Sequence, residues 1–317
     1  MSKEIDDIFS NKIGESIEKS IKDKRKKLNS KVIIKSIILT LVVVVILNIL
    51  LGFISKKVIG MRFNERSSTK VLEYMITKPN EYIGQNSYIE TGLFKYNSNY
   101  EIARKIGNTT VYAGSEHESR SVFNYGQIGY LGFPISEVIP TLDKNIENRR
   151  SDVFGLRELC FMMPYVDYEN IINDFQYLDE IGEDKYVEMT LSFDKEYSYE
   201  EVNNLFDSNL IYFYWIDNDS DETKEHYKDS KFYHDDDTVL GIKSINYAGD
   251  YIEDVNERLN IFKGAATNLD GWYKSNVDLD KPMISGIVVV GTASQLKELE
   301  GVNIIKHSIL GNVVDKF

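Results

Sequence analysis

The chain has 317 residues, of which 37 are basic and 50 are acidic, so its formal net charge at neutral pH is −13. This surplus of acidic residues argues against direct binding of nucleic acid. The single cysteine excludes an intramolecular disulfide, and because Cys160 stands in an apolar run it is predicted to be a small buried side chain.

The first predicted element is an amphipathic helix in the N-terminal tail, residues 1–31. Its apolar residues recur every four positions, which places them on one gently drifting helix face. We call this set the tail stripe: Ile5, Phe9, Ile13, Ile17 and Ile21. An isolated helix of this size is marginal in water, so the stripe needs a surface to lie on. The membrane, a second copy of the tail or a different protein would serve, although mixed charges on the polar face weaken the membrane interpretation.

Residues 32–55 are predicted to form a transmembrane helix. Residues 36–55 (SIILTLVVVVILNILLGFIS) carry no charge, and a helix of that length is about 30 Å long, which matches the hydrocarbon thickness of a bilayer. A cleaved signal peptide would have a shorter apolar region followed by a small-residue cleavage site. Here the run ends in Ile54-Ser55-Lys56-Lys57, so an uncleaved single-pass anchor is expected.

The distribution of charge predicts that the N-terminus lies in the cytoplasm. Eight basic residues stand shortly before the span and five within a similar distance after it, which is the direction of the positive-inside rule. Residues 1–57 hold 12 basic and 6 acidic residues, whereas residues 58–317 hold 25 and 44. The tail side is therefore basic and the large C-terminal part acidic, so we expect the latter to be an extracellular domain of a cell-membrane protein.

The C-terminal part is predicted to be an α+β domain with an internal boundary near Ser151. Its first portion, residues 56–150, has short β-like runs and a turn at Lys78-Pro79-Asn80. The β-like runs are residues 87–94 and 108–113. Two polar segments, residues 115–120 (SEHESR) and 144–152 (KNIENRRSD), are predicted to be loops.

Residues 151–317 show a sharper pattern of alternating strands and helices. The predicted strands are residues 186–193, 210–216, 239–245, 284–291 and 303–314. The predicted helices are residues 198–206, 253–269 and 292–299, the first with Ser198 as cap and Glu201 at the capping-box position. This order is typical of an α+β fold and compatible with ferredoxin-like split-βαβ packing.

Catalytic and cofactor motifs are missing from the sequence, so no enzyme activity, cofactor or metal is predicted. Residues 217–222 (DNDSDE) resemble the start of a calcium loop, but Glu222 and Lys228 stand where Gly and a bidentate Glu are needed, which favours a solvated acidic loop. The turn at residues 291–294 could hold an anion, although ordinary helix capping is commoner. Alternation along Tyr212-Phe213-Tyr214-Trp215 would bury one aromatic pair and expose the other for a ligand, unless both lie in a core.

Several segments resemble the bacterial sigma factor regulator family. The N-terminal likeness lies in the Lys-rich tail running into residues 31–45 (KVIIKSIILTLVVVV), and in residues 78–83 (KPNEYI). The C-terminal likeness lies in residues 157–166, 178–190, 192–197, 213–215, 286–293 and 308–317. The resemblance implies a membrane-anchored N-terminal part, an extracytoplasmic C-terminal domain and an anti-sigma role toward an extracytoplasmic-function sigma factor.

The mode of sigma binding and the function itself have alternatives at this point. The zinc-type anti-sigma fold needs a His and two Cys in the tail, and this tail has neither, so a sigma factor would have to take the tail stripe into a groove. One helix transmits a signal poorly, which favours proteolysis, a second membrane protein or a homo-oligomer as the coupling step. The alternative function is a cell-envelope module that binds a ligand or peptide and has no sigma factor partner.

Overall fold

The computed structural model describes residues 2–131, 137–138, 150–151, 155–229, 233–235, 239–269 and 277–316. The chain divides into two compact units, Met1–Val58 and Ile59–Phe317. Helices and strands are mixed as predicted, with one long apolar N-terminal helix and a C-terminal sheet domain. The predicted boundary near Ser151, inside the second unit, remains a prediction.

Helix α1 extends over Ser2–Thr77 and contains the whole of the predicted span. Apolar side chains between Val32 and Ile54 are exposed, as side chains that face lipid must be. Two polar side chains in the middle of this stretch form hydrogen bonds within the helix, because Thr40 donates to the carbonyl of residue 36 and Asn48 to that of residue 44. This helix is long and apolar enough to cross a membrane.

A four-stranded antiparallel sheet follows α1, and its strands pair in chain order. The strands are β1 (Glu81–Gly92), β2 (Lys95–Ile106), β3 (Thr109–Ser121) and β4 (Asn124–Leu131). The last turns of α1, residues 59–77, cover one face of this sheet. The apolar contact between them consists mainly of Ile59, Phe63, Tyr74, Ile83, Tyr96 and Tyr100.

The prediction of a loop at residues 115–120 was wrong, because this segment lies in β3. Glu116 and Glu118 alternate toward the interior, where basic residues pair with them, so a polar sequence forms a regular strand. In the second predicted loop, Arg150–Ser151 forms a short strand, β6, which pairs with β5 (Glu137–Val138). Residues 144–149 and 152 lie outside the described residues.

The C-terminal region forms a five-stranded sheet in the order β11-β9-β12-β8-β13, with every neighbouring pair antiparallel. Its strands are β8 (Lys185–Ser198), β9 (Ile211–Ile216), β11 (Leu240–Lys243), β12 (Met283–Gly291) and β13 (Ile305–Asp315). The helices are α2 (Tyr199–Leu205), α3 (Asp221–Tyr227), α4 (Val255–Asn268) and α5 (Ala293–Lys297). Two short strands, β7 (Cys160–Phe161) and β10 (His234–Asp235), pair with each other, and a 3-10 helix spans Asp174–Glu180. Every strand and helix predicted between residues 186 and 314 is present.

The sheet contains two interleaved split-βαβ units. Strands β8 and β9 are both antiparallel to β12, which lies between them, and α2 connects them. Strands β11 and β12 flank β9 in the same way and are connected by α4. The split packing is thus confirmed, but the ferredoxin-like order is not, because there the third strand of the motif separates the first two. Here the third strand, β11, lies at the sheet edge and β12 takes the inner place.

The core of this region covers both faces of β9. All four aromatic residues of the Tyr212-Phe213-Tyr214-Trp215 run are buried, so the alternative in which both pairs lie in a core is the one observed. Ser198 caps α2 and Glu201 completes the capping box, as predicted. Cys160 is buried, which confirms its interpretation as a small core side chain.

Candidate functional site

The tail stripe lies within α1, in the first unit. Ile17 and Ile21 are 54% and 49% exposed. The side chains of Ile5, Phe9 and Ile13 lie outside what the structure describes. The stripe therefore remains a prediction from the sequence.

The second unit contains a buried charge cluster where α1 meets β3. Lys70 on the helix is paired with Glu116 and lies 3.2 Å from a carboxylate oxygen of Glu118. Arg66, one turn earlier, donates to Glu118 at 2.9 Å, and Arg120 donates to the same carboxylate at 2.6 Å. Lys70, Glu116 and Glu118 are almost completely shielded from solvent. We call these five residues the helix–strand charge cluster.

The helix–strand charge cluster keeps Glu118 ionised in a buried position. Burial by itself raises the pKa of Glu118, but hydrogen bonds from Arg66 and Arg120 and the charge of Lys70 outweigh it and lower the pKa to about 2. Removing one partner from a buried ion pair costs about 3–5 kcal/mol, because the other charge is left uncompensated. The cluster therefore fixes the position of α1 on the sheet with high geometric specificity.

The C-terminal end of α1 is held by Lys243, at the end of β11. Its ammonium group donates to the backbone carbonyls of Tyr74, in the last helical turn, and of Glu81 at the start of β1. Carbonyls in the last turn of a helix have no partner within the helix, and a cation there also suits the helix dipole. Burial lowers the pKa of Lys243 to about 7, against the opposing charge of Glu81. Strand β11 thus joins the five-stranded sheet to the end of α1.

A polar cleft of about 490 Å³ lies beside the acidic segment at residues 217–222. The segment is not the solvated loop that the sequence predicts, because Asp217 is buried and lies 3.2 Å from Lys224. Burial raises the pKa of Asp217 to about 6, although the charge of Lys224 opposes the rise. Asp219 accepts hydrogen bonds from Tyr165 at 2.5 Å and from His234 at 3.0 Å. These carboxylates are therefore engaged within the chain.

The two candidate ligand segments make contacts within the described part of the chain. Among the described residues, no three His, Cys, Asp or Glu side chains are grouped so as to hold a metal ion. In the first turn of α5, the backbone N–H and the hydroxyl of Ser294 both donate to Glu183, each at 3.0 Å. Thr292 forms a capping box with Gln295, so ordinary helix capping, the preferred interpretation, is confirmed.

These observations describe a chain with an apolar helix able to anchor it in a membrane and an α+β domain whose sheets hold the end of that helix. Residues 178–271 match the family model described as sigma factor regulator C-terminal. The matched region begins in the 3-10 helix and contains both helices of the split-βαβ units, α2 and α4. No curated protein and no solved structure matches the chain. The match supports the resemblance at residues 178–190, 192–197 and 213–215.

Proposed function

We propose that this protein is a membrane-anchored anti-sigma factor that binds an extracytoplasmic-function sigma factor through its cytoplasmic tail. The observation that carries the proposal is the match of residues 178–271 to a sigma factor regulator domain. That domain shares its chain with an apolar helix able to span a membrane and with the tail stripe on the other side of it. A regulator of this architecture holds its target at the membrane and controls it from the opposite face.

The tail stripe supplies the binding surface in this proposal. Helices that dock into apolar grooves present anchors spaced by three or four residues, and the stripe has five such anchors over about four and a half turns. Ile17 and Ile21, the members with described side chains, are exposed and available to a partner. The stripe would be ordered by the sigma factor, which offsets the marginal stability of a lone helix.

The outer domain would act on the tail through α1, whose residues 59–77 belong to the core of the second unit. Ile59 and Phe63 pack on the four-stranded sheet, while Met75 and Ile76 pack into the core of the five-stranded sheet. A ligand can change sigma affinity only if it binds two states of the protein differently. We therefore include a cleavage step, a second membrane protein or a homo-oligomer as the event that releases the sigma factor.

The direct test is co-purification of intact protein from solubilised host membranes, with mass spectrometry of the bound proteins. A variant with Phe9, Ile13 and Ile17 replaced by Asp should lose the sigma factor, because three charges would be forced into an apolar groove. Deleting residues 2–28 should have the same effect. A sigma factor retained by the triple variant would contradict the assignment of the stripe.

A charge-matched control separates the stripe from the general charge of the tail. Replacing Asn11 and Lys22 by Asp also makes the tail three units more negative, but at positions that the helical repeat places opposite the stripe. This variant should keep its sigma factor. If it loses the partner as fully as the triple variant does, binding depends on tail charge and the groove mechanism is wrong.

The orientation of the anchor can be tested with cysteine labelling. Because Cys160 is buried and is the only cysteine, a new thiol at Ser10 dominates the reaction with a membrane-impermeant maleimide. In intact cells stripped of any outer layer, the S10C thiol should react only after permeabilisation. A thiol introduced at Tyr247, an exposed residue of the second unit, should react in both conditions. The reverse pattern would place the tail outside and end the sigma proposal.

The second candidate is an envelope module that binds a ligand or peptide, and the polar cleft favours it. The cleft is lined by acidic side chains together with Lys224 and Lys281, which suits a small polar ligand. In that case deletion of residues 2–28 would leave sigma-dependent transcription unchanged. Co-purification would then recover envelope components with or without the tail.

A further inference from the structure

The two ends of the four-stranded sheet have turns of opposite chemistry. At one end, Gly107-Asn108 joins β2 to β3 and Pro79-Asn80 precedes β1, which are common turn residues. Gly107 has a φ of +60°, and a Cβ there would lie 2.5 Å from the ring of Tyr186. This end is packed against β8 and its glycine is required by both conformation and space.

At the other end, two-residue turns consist of apolar residues. Leu93-Phe94 joins β1 to β2, and Val122-Phe123 joins β3 to β4. Phe94 has a φ of +59°, a left-handed conformation at a turn position where Gly or Asn is usual. Folding alone would therefore favour a different residue at position 94, and its strain is consistent with selection for another property.

These two turns form one continuous apolar tip. The N–H of Val122 donates to the carbonyl of Phe94 at 2.9 Å, and the rings of Phe94 and Phe123 lie 5.0 Å apart between centroids. Phe123 is 77% exposed and Leu93 is 52% exposed. Large apolar side chains gathered at one exposed point mark a contact site more often than scattered ones do.

The contacts of α1 with the sheet show which end of the domain carries this tip. Along β1, Asn86 bonds to Ser67, and the ring of Tyr88 lies 4.7 Å from that of Phe63, so later residues of the strand meet earlier residues of the helix. Strand β3 has the same direction relative to α1, because Glu116 pairs with Lys70 and the later residue Glu118 pairs with the earlier residue Arg66. The tip lies beyond these contacts, at the end of the unit where the chain enters at residue 59.

Chain connectivity keeps Ile59, which lies at that end, close to the end of the uncharged span. Only residues 56–58 separate the uncharged span from Ile59, and even a fully extended connection of this length reaches about 14 Å. Within the second unit, the strand advances about 17 Å from Tyr88 to Leu93, beyond its contacts with α1. The hairpin tips thus lie at the same end of the second unit as Ile59, the residue that follows the span by the shortest connection.

We propose that the apolar tip, Leu93-Phe94 and Val122-Phe123, inserts into the interfacial layer of the membrane that holds the anchor. Aromatic side chains are favoured at this depth, and the exposed Lys95 beside the tip suits lipid phosphates. A lipid surface is the fitting occupant because it is already within reach, whereas a protein partner would need a broader surface than two turns provide. The inference rests on the membrane anchor and is independent of sigma binding.

The test uses the full chain reconstituted in liposomes, with an environment-sensitive NBD label on single cysteines at positions 93 and 123 in a Cys160→Ser background. Tyr247→Cys is the matched control. Tyr247 is also an exposed ring, and it lies at the opposite end, two residues from Gly249, whose Cβ would meet the ring of Tyr82 near the start of β1. All three sites are exposed turns, so labelling should leave the fold intact, which circular dichroism verifies.

At positions 93 and 123 we expect blue-shifted emission, strong quenching by lipids with a nitroxide near the headgroup, and weak quenching by aqueous iodide. At position 247 we expect the reverse. Equal iodide quenching at 123 and 247 would overturn the proposal. Protection at 123 that grows with the protein-to-lipid ratio would overturn it too, since a second copy would then cover the tip. Sigma co-purification is measured separately, so either proposal can fail alone.

Discussion

The two sheets of the Ile59–Phe317 unit differ in the proportion of apolar and ionic contacts in their interiors. The five-stranded sheet has an apolar interior in which β8, β9 and β12 bury mainly aliphatic and aromatic residues. The four-stranded sheet has fewer apolar contacts, and on β3 the buried side chains include Glu116 and Glu118, which face basic residues of α1. The five-stranded sheet therefore combines a larger apolar core with single buried charges such as Glu188 and Arg258, whereas several buried charges are grouped where α1 meets the four-stranded sheet.

This difference assigns a separate task to each sheet. Apolar burial is non-directional and roughly proportional to area, so it stabilises a fold without fixing one helix register. Buried ion pairs stabilise little in net terms, but they penalise every arrangement that leaves a charge unpaired. The helix–strand charge cluster thus determines where α1 lies on the sheet, while the five-stranded sheet supplies stability. In the proposed function, where the outer domain acts through α1, that separation would be useful.

The largest effect is expected from Lys70→Met. The substitution leaves Glu116 buried with no cation, so the free energy of unfolding should fall by about 3–5 kcal/mol. Urea unfolding of the full chain in nanodiscs, followed by tryptophan fluorescence, measures the change.

The double variant Lys70→Met with Glu116→Leu is the control for this effect. Replacing both charges by apolar residues of similar size removes the uncompensated carboxylate, so most of the lost stability should return. If the double variant is as unstable as the single one, packing by the Lys70 side chain explains the loss and the role given to paired charges is wrong.

The next largest effect is the acid sensitivity that Glu118 confers. Its pKa is lowered to about 2 in the folded state from 4.5, so its contribution to stability is complete above pH 4.5 and is lost as the pH falls toward 2. Glu118→Gln should be less stable than the wild type at pH 7, and the difference should shrink between pH 4.5 and 2. Urea unfolding across this range measures the difference between the two proteins.

The difference in the free energy of unfolding between the wild type and Glu118→Gln does not include the effects of other groups that titrate in acid. Burial raises the pKa of Asp217 to about 6, so protonation of Asp217 increases stability as the pH falls, which is opposite to the effect of Glu118. Burial lowers the pKa of His307 to about 4. Both groups are present in both proteins, so their contributions cancel. A difference that stays constant from pH 7 to pH 2 would show that Glu118 does not contribute through its charge.

Much of the five-stranded sheet could be predicted from the sequence, and the four-stranded sheet much less. Residues 186–193 and 284–291 are rich in apolar and β-branched residues, which predicts buried strands. Ser198 with Glu201 predicts the start of a helix. In residues 115–120 the alternation is between acidic and small or basic residues, which is typical of loops. The acidic side chains of that strand are paired by basic residues of α1, far away in sequence, and by Arg120 of the strand itself.

The helix–strand charge cluster and Lys243 also could not be predicted from the sequence. The position of Lys70 four residues after Arg66 is visible in the sequence, but nothing local indicates that either is buried. Lys243 lies in a predicted strand, yet its role at the end of α1 depends on a contact across more than 160 residues. The one local sign of a strand in residues 115–120 is the alternation of Glu116 and Glu118, which places both on one face. The sequence shows which residues are charged, but only the fold shows which residues pair with them.

A smaller effect is expected from Ile287→Val in the interior of the five-stranded sheet. Ile287 is fully buried, and removing one methylene group there should cost about 0.5–1.5 kcal/mol. The cost should be the same at pH 7 and pH 3, because no ionisable group is involved. A pH-dependent cost, measured by the same urea unfolding, would mean that the two sheets are not as different as their interiors indicate.

The smallest effect on stability is expected at the apolar tip. Phe123→Ser removes a ring that is mostly exposed, so the free energy of unfolding in detergent should change by no more than about 0.5 kcal/mol. In liposomes the same substitution should release the tip from the interface, and NBD at position 93 should become more accessible to iodide. The paired measurement matters because a residue kept for folding would show the opposite result, a clear loss of stability in detergent and no change at position 93. If Phe123 contributes almost nothing to folding but changes the contact with lipid, its ring is retained at this exposed turn because of the membrane.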